Sequence, residues 1–180
     1  MKSICVFCGS SFGNRKIYKE TSRELGKILA ENNIRLVYGG GNVGLMGAIA
    51  DSVLNEGGEV VGVIPQSLVN REKAHDGLTQ IHVVKTMHER KDLMYKLSDA
   101  FIAMPGGFGT LDEFCEIFTW FQLGIHKKKI GFLNIEGYFD HLLEHFVRSV
   151  EEGFVDQTLY NEIKIECTPE NIVWAILNNQ

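Results

Sequence analysis

Short apolar segments alternate with amphipathic ones along the whole of this 180-residue chain, and that alternation restricts its fold more than any other feature. Ser3–Cys8, Arg35–Tyr38, Glu59–Ile64, Ile81–Lys85, Ala100–Met104, Lys129–Asn134 and Ile163–Cys167 read as strands. They are short, bounded by turn residues, and close to continuously apolar, as strands covered on both faces must be. Helical periodicity fills the intervals. Lys16–Asn32 carries Leu25, Ile28 and Leu29 on one face, and a second helix carries Leu45, Met46, Ile49, Ala50 and Val53 before it ends near Gly57-Gly58. Met87–Leu97, Thr110–Gly124, Tyr138–Glu152 and Pro169–Leu177 complete the set, while polar Gln66–Thr79 reads as a loop with a short helical turn. The pattern predicts an α/β three-layer sandwich with a mostly parallel sheet, forming one domain over residues 1–180.

Parallel strands with right-handed crossovers place every strand-to-helix loop at one edge of the sheet. Gly9-Ser10-Ser11, Gly39–Gly44 and Gly106–Thr110 are such loops and should converge where the strand order reverses. The third is the most informative. Pro105-Gly106-Gly107-Phe108-Gly109-Thr110-Leu111-Asp112-Glu113 joins an apolar strand to a helix with Phe114, Ile117, Phe118 and Phe121 at helical spacing. Glycine permits positive φ and close approach of an anion to the backbone. The helix behind it directs unpaired N–H groups and a positive dipole end at the turn. Such a turn is a phosphate cradle, and Glu113 sets a carboxylate in the first helical turn beside it. Gly39-Gly40-Gly41-Asn42-Val43-Gly44 departs from the dinucleotide order G-x-G-x-x-G and follows the second strand, so tight turning and helix packing account for it as well as ligand contact does.

The formal net charge of -5 argues against a nucleic-acid polymer as partner, because such binding needs clustered Lys and Arg. The basic run Lys127-Lys128-Lys129 is short and reads as a solvated turn. No apolar run reaches membrane-spanning length, and the N-terminal segment reads as a first strand rather than a secretory signal, which predicts a cytoplasmic protein with no membrane partner. Cys5 and Cys8 lie within one strand, three residues apart, so their side chains point to opposite faces and read as buried free thiols.

Arg90 opens the helix after the fourth strand, in Met87-His88-Glu89-Arg90-Lys91, at the edge where Glu113 also lies. A guanidinium there suits phosphate or a sugar hydroxyl; the competing reading is a surface Arg paired with Glu89 or Asp92. Asp112 suits the helix dipole, and Glu116 shares a face with Glu113. His88 is the histidine nearest this chemistry. His141-Leu142-Leu143-Glu144-His145 fits an inverted zinc-peptidase spacing, but a third ligand and an open cleft are missing from the pattern, so no metal is expected.

Together, Met87-x-x-Arg90-Lys91 and Pro105-Gly106-Gly107-x-Gly109-Thr110-x-x-Glu113 resemble the paired signature of the LONELY GUY family. Gly39-Gly40-Gly41, Gly44-Leu45-Met46-Gly47 and Thr119-Trp120-x-Gln122-Leu123-Gly124-Ile125-His126 extend the resemblance over nearly the whole chain. Its members are cytokinin riboside 5′-monophosphate phosphoribohydrolases, often labelled lysine decarboxylases. The resemblance implies a Rossmann-like fold and a homodimer with its site near the subunit interface. It implies Arg90 and Glu113 as the catalytic pair. It implies substrate contacts from Glu72, Arg90, Lys91, Gly106, Gly107, Phe108, Gly109, Thr110, Leu111, Asp112 and Thr119. Asp112 departs from the Glu usual in plant members. The implied substrate is an adenine-type nucleoside 5′-monophosphate, hydrolysed to free base and ribose 5-phosphate without metal or redox cofactor. The alternatives are an AMP nucleosidase with no cytokinin role and a non-catalytic nucleotide binder. A pyridoxal-phosphate decarboxylase is a further alternative, with Lys91 as the one lysine near the crevice.

Overall fold

A computed structural model describes residues 2–178. The strands are β1 (Ser3–Phe7), β2 (Arg35–Tyr38), β3 (Val60–Pro65), β4 (Gln80–Val84), β5 (Ala100–Ala103), β6 (Lys129–Leu133) and β7 (Ile163–Glu166). The helices are α1 (Lys16–Glu31), α2 (Gly44–Asn55), α3 (Met87–Leu97), α4 (Phe108–Gln122), α5 (Asp140–Glu151), α6 (Gln157–Tyr160) and α7 (Pro169–Asn178). Every pairing between these strands is parallel, in the order β4-β3-β2-β1-β5-β6-β7. The mostly parallel sheet expected from the alternation is therefore parallel throughout.

Strand order reverses at β1, where Ile4 pairs with Leu36 of β2 on one side and Ala100 of β5 on the other. The loops leaving β1 and β5 diverge to opposite faces and leave a crevice between them.

Two apolar layers cover the sheet. Ile4, Val6 and Leu36 pack with Leu25, Leu29, Ile49 and Val53 of α1 and α2 and with Ile172 of α7. Cys5, Phe7, Val63, Phe101 and Phe132 pack with Met94 of α3, Phe114 and Ile117 of α4, and Phe139. Cys5 and Cys8 fall in opposite layers, as period-two alternation requires, and both are buried free thiols whose pKa burial pushes up. The Phe114 ring lies 3.9 Å from the Phe132 ring between centroids, and Phe132 lies 4.5 Å from Phe139. Full burial of one such ring contributes about 1.5–3 kcal/mol. This cluster anchors the first turns of α4 to the sheet, and so fixes where the neighbouring residue Glu113 points.

Three local expectations are corrected. The α4 helix begins at Phe108 rather than Thr110, so Gly109 belongs to its first turn. The helix after β6 does not begin at Tyr138: a 3-10 turn at Ile135–Gly137 comes first, with Glu136 at φ 47 and Gly137 at φ 74, and α5 starts at Asp140. The four-residue helix α6 was not expected; Asp156 caps it by accepting from the Thr158 N–H. It is too short for apolar periodicity to register.

Candidate active site

Arg90 reaches the crevice because the start of α3 is fixed. Thr86 caps the helix by accepting from the Glu89 N–H at 3.1 Å, and the Glu89 carboxylate accepts from the Lys85 N–H at 2.8 Å. Glu89 is thereby occupied, and Asp92 is occupied by Lys96. Arg90 turns inward, is 6% exposed, and stands 3.8 Å from Glu113 through Nη2 and Oε1. Room for it exists because residue 39 is glycine: a Cβ there would lie 2.0 Å from Arg90 Nη2. The buried Nε of Arg90 has no hydrogen-bond partner, and Nη1 reaches only the Met87 sulfur at 3.9 Å. A buried guanidinium with spare donors is costly until an acceptor completes it.

Glu113 is 9% exposed, and burial raises its pKa to about 7. The Arg90 charge opposes that rise, while Asp112 and Glu72 add to it. Glu72 comes from the long loop after β3, which docks over the second glycine turn. Asn42 N–H donates to Glu72 O at 3.0 Å and His75 N–H donates to Gly40 O at 3.1 Å. The His75 ring accepts from Gly77 N–H and bonds Asp51 at 3.0 Å, tying the loop to α2. Glu72 Oε2 is buried without a partner.

These groups share one cavity of about 320 Å³, walled also by Met46, Leu68 and Met87 and closed by the N-terminus of α4. The turn before α4 uses its carbonyls on the protein itself: Pro105 O accepts from Gly9 N–H, and Gly107 O accepts from Leu111 N–H. The N–H groups of Phe108, Gly109 and Thr110 begin the helix and have no partner within it. Contrary to expectation, none of Gly106, Gly107 and Gly109 takes positive φ. Close approach explains Gly106 instead. A Cβ on Gly106 would lie 2.2 Å from Thr110 Oγ1 and 2.9 Å from Gly9 N, whereas Gly107 and Gly109 face open space.

The remaining expected residues divide. Glu72, Arg90, Gly107, Phe108, Gly109, Thr110, Asp112 and Glu113 line the cavity. Phe108 is 93% exposed at its mouth. Gly106 sits behind the turn. Leu111 packs into the α4 face of the core. Lys91 is not in the cavity: its Nζ bonds Asp112 and Glu116, each at 3.1 Å. Burial works against its charge, but hydrogen bonds to Glu116 and Asp112 outweigh it and hold its pKa above the ordinary 10.5. Held as an ammonium by two carboxylates, Lys91 is poorly suited to form a Schiff base. Thr119 is not brought to the cavity either. It lies nine residues beyond Thr110 along α4, roughly 13 Å by helical rise, and its hydroxyl donates to Cys115 O. His88 is exposed and does not line the cavity, and His141 bonds only Glu144 on the surface of α5. Among the described residues no three His, Cys, Asp or Glu gather as a metal would need. Sequence reasoning missed Gly39 as the seat of Arg90 and also missed Tyr138, whose hydroxyl donates to Gly106 O at 2.5 Å. The only signal for Tyr138 was its place at the sheet edge where the other loops converge.

Fold and cavity define a Rossmann-type α/β protein with a carboxylate–guanidinium pair at the topological switch point. Residues 46–176 match the family model described as possible lysine decarboxylase. The chain is 54% identical over 157 residues to cytokinin riboside 5′-monophosphate phosphoribohydrolase LOG1 of Arabidopsis thaliana, covering 87% of this chain and 74% of that protein. It is 48% identical over 172 residues to the probable cytokinin riboside 5′-monophosphate phosphoribohydrolase LOGL2 of Oryza sativa subsp. japonica, covering 96% and 70%. The chain belongs to the LONELY GUY family. Its fold is shared with the molybdenum cofactor binding protein of Rippkaea orientalis, at TM-score 0.72 and 22% identity over 96% of this chain and 94% of that one. The molybdenum cofactor carrier protein of Chlamydomonas reinhardtii is similar at TM-score 0.71 and 19% identity, over 97% and 94%. At those identities the likeness concerns the fold alone.

Proposed function

We propose that this protein is a phosphoribohydrolase that cleaves the N-glycosidic bond of adenine-type nucleoside 5′-monophosphates, cytokinin riboside 5′-monophosphates among them. The observation that carries the reading is the buried Glu113, 3.8 Å from Arg90, in a cavity also lined by Gly107, Phe108, Gly109 and Thr110 at the N-terminus of α4. The names of the curated relatives support the same reaction.

The 5′-phosphate sits against the amides of Phe108, Gly109 and Thr110, where backbone donors and the helix dipole favour an anion. That anchor holds the ribose beside Glu113, so binding energy remote from the reacting bond serves orientation. The bond between C1′ and the base nitrogen breaks, and its electron pair leaves with the base. The sugar passes through an oxocarbenium-like state that the Glu113 carboxylate stabilises. Glu113 orients the attacking water and takes its proton as the oxygen bonds to C1′; that proton then passes to the nitrogen of the departing base, which restores the carboxylate. Arg90 positions the nucleotide and offsets charge developing as the base leaves. The chemistry draws only on water and these side chains.

The apolar wall of Met46, Leu68 and Met87 and the exposed Phe108 suit a prenyl substituent on the base. An AMP nucleosidase acting on plain adenine is the second reading. We also place the protein in the cytoplasm, a reading that suits four free cysteines, Cys115 and Cys167 of them exposed. We assign it a homodimeric state. Exposed Phe108, Leu123 and Ile125 on and after α4 suit a second copy, and Thr119, remote from its own cavity, would meet a nucleotide only in a partner's site. Sedimentation analysis showing a monomer at working concentration would refute the dimer.

Chromatography after incubation with AMP and with isopentenyladenosine 5′-monophosphate tests the reaction. The wild type is expected to release free base from at least one. Folded Glu113→Gln and Arg90→Ala proteins are expected to lose on the order of 10²–10⁴ in rate. Undiminished release by both variants rejects the assignment, and intact nucleotide after prolonged incubation with the wild type leaves a binder.

A further inference from the structure

The connection between β6 and α5 is built more stiffly than a surface turn requires. Asn134, 6% exposed, accepts from the Phe139 N–H at 2.7 Å and donates to Asp140 at 2.8 Å. Glu136 holds a left-handed backbone at φ 47, which is unfavourable for a residue bearing a Cβ. Its carboxylate pairs with Arg15 at the start of α1. Strain of this kind persists only where the surroundings enforce it, and what the enforced turn presents at the sheet edge is Tyr138. The Tyr138 ring stands edge-on to Tyr18 of α1 at 5.6 Å and to Phe139 at 4.9 Å. Clamped between them, its hydroxyl donates to Gly106 O at 2.5 Å.

That bond falls on a peptide with two glycine neighbours, Gly106-Gly107, which by itself has little steric preference for one orientation over the flipped one. A trans peptide is planar, with its C=O and N–H pointing in opposite directions. Gly106 O accepts from Tyr138, and both residues line a second cavity with Tyr18 and Phe12. Gly107 borders both that cavity and the one holding Arg90 and Glu113. Fixing the carbonyl toward Tyr138 therefore turns the Gly107 N–H toward the Arg90–Glu113 side. We propose that Tyr138 is a positioning residue: by holding the Gly106 carbonyl it locks the Gly106–Gly107 peptide so that the Gly107 N–H joins the amides of α4 as a donor to the substrate 5′-phosphate. The inference rests on the reading of this cavity as a nucleoside 5′-monophosphate site. Tyr138 does not line the cavity that holds Arg90 and Glu113, so its effect passes through the peptide plane.

Tyr138→Phe removes the hydroxyl and keeps the ring. Steady-state kinetics with AMP, or with isopentenyladenosine 5′-monophosphate if the wild type prefers it, are expected to show KM raised roughly tenfold, the worth of about 1.4 kcal/mol. The kcat is expected to stay within about twofold, with unfolding temperature and the pH profile of kcat/KM little changed, because Glu113 is untouched. A KM within about twofold of wild type overturns the proposal, as does a loss carried by kcat alone. A second measurement needs neither turnover nor the variant. In wild-type protein labelled with ¹⁵N-glycine, titration with inorganic phosphate is expected to shift the Gly107 amide resonance strongly and the Gly131 resonance in β6 hardly at all. An unmoved Gly107 amide at saturating phosphate overturns the proposal. Absence of base release by the wild type, with a responsive Gly107 amide, would instead defeat the hydrolase reading and leave the positioning role intact.

Discussion

Two glycine-rich turns leave the strands on either side of β1 and do opposite things. The turn after β2 is filled by protein. At Gly39 a Cβ would meet Arg90 Nη2 at 2.0 Å, and at Gly41 it would meet the Met46 methyl at 3.0 Å and Glu72 Cβ at 3.1 Å. The turn after β5 is open, with nothing within 4 Å of the Cβ positions of Gly107 and Gly109. The first omits side chains so that other side chains can enter. The second omits them so that something from outside can enter. A glycine count at a sheet edge therefore does not locate a ligand; the space around each glycine does.

The contrast is most sharply broken at Gly39. Gly39→Ala is expected to push Arg90 off Glu113 and lower kcat/KM about a hundredfold, the scale of a 1 Å misplacement in an active site. Overpacking is expected to cost about 1–3 kcal/mol in urea unfolding. Full activity in that variant would show that Arg90 is not seated by the filled turn. At the open turn the same substitution should behave differently. Gly109→Ala lies in the first turn of α4, where alanine is favoured over glycine by about 0.5–1 kcal/mol, so the apoprotein should unfold later. Its methyl should crowd the phosphate and raise KM about tenfold. A destabilised Gly109→Ala protein would contradict the openness of that turn.

The filled turn also sets the electrostatics of the open one, and pH reads that link. Burial, chiefly, holds Glu113 at about 7 against an ordinary 4.5. The reaction uses the carboxylate, so kcat/KM should fall about tenfold per unit below that value, with a limb that Glu113→Gln lacks. Stability runs the other way. The folded state binds this proton more tightly than the unfolded chain. The contribution is therefore complete below about 4.5 and is lost as pH rises to about 7. Thermal unfolding of Glu113→Gln against wild type should favour the variant more at pH 8 than at pH 5; the reverse ordering would refute the buried-acid account.

The smallest effect is expected at Lys91. Lys91→Met leaves Asp112 and Glu116 without their shared cation, at a cost of about 1–2 kcal/mol. Lys91 also acts to lower the pKa of Glu113, so the acidic limb should move upward. Turnover at high pH should change little, because Lys91 stands behind the cavity; collapse of activity there would place it in the reaction.

Much of the architecture was legible. Buried strands announce themselves because both faces are apolar, as in Ala100–Met104, and helices because their inner residues recur at 3.6, as Leu25 and Leu29 do. Arg90 and Glu113 were legible through their motifs and through topology, since both follow strands at the same sheet edge. The connection from Ile135 to Tyr138 was not. Its conformation depends on Asn134 bonding Phe139 and on Glu136 pairing with Arg15, more than a hundred residues away, and neither leaves a periodic trace.

By itself the sequence determined the parallel α/β order, the loops that meet at one edge, and the residue types available there, because periodicity and turn chemistry act over a few neighbouring residues. Only the tertiary structure decided which of those residues face one another. It seated Arg90 over Gly39, raised the pKa of Glu113 by burying it, withdrew Lys91 into a pair of carboxylates, and brought Tyr138 to Gly106. Those outcomes depend on distance, solvent exclusion and contacts between segments far apart in the chain, which exist only once the layers have packed.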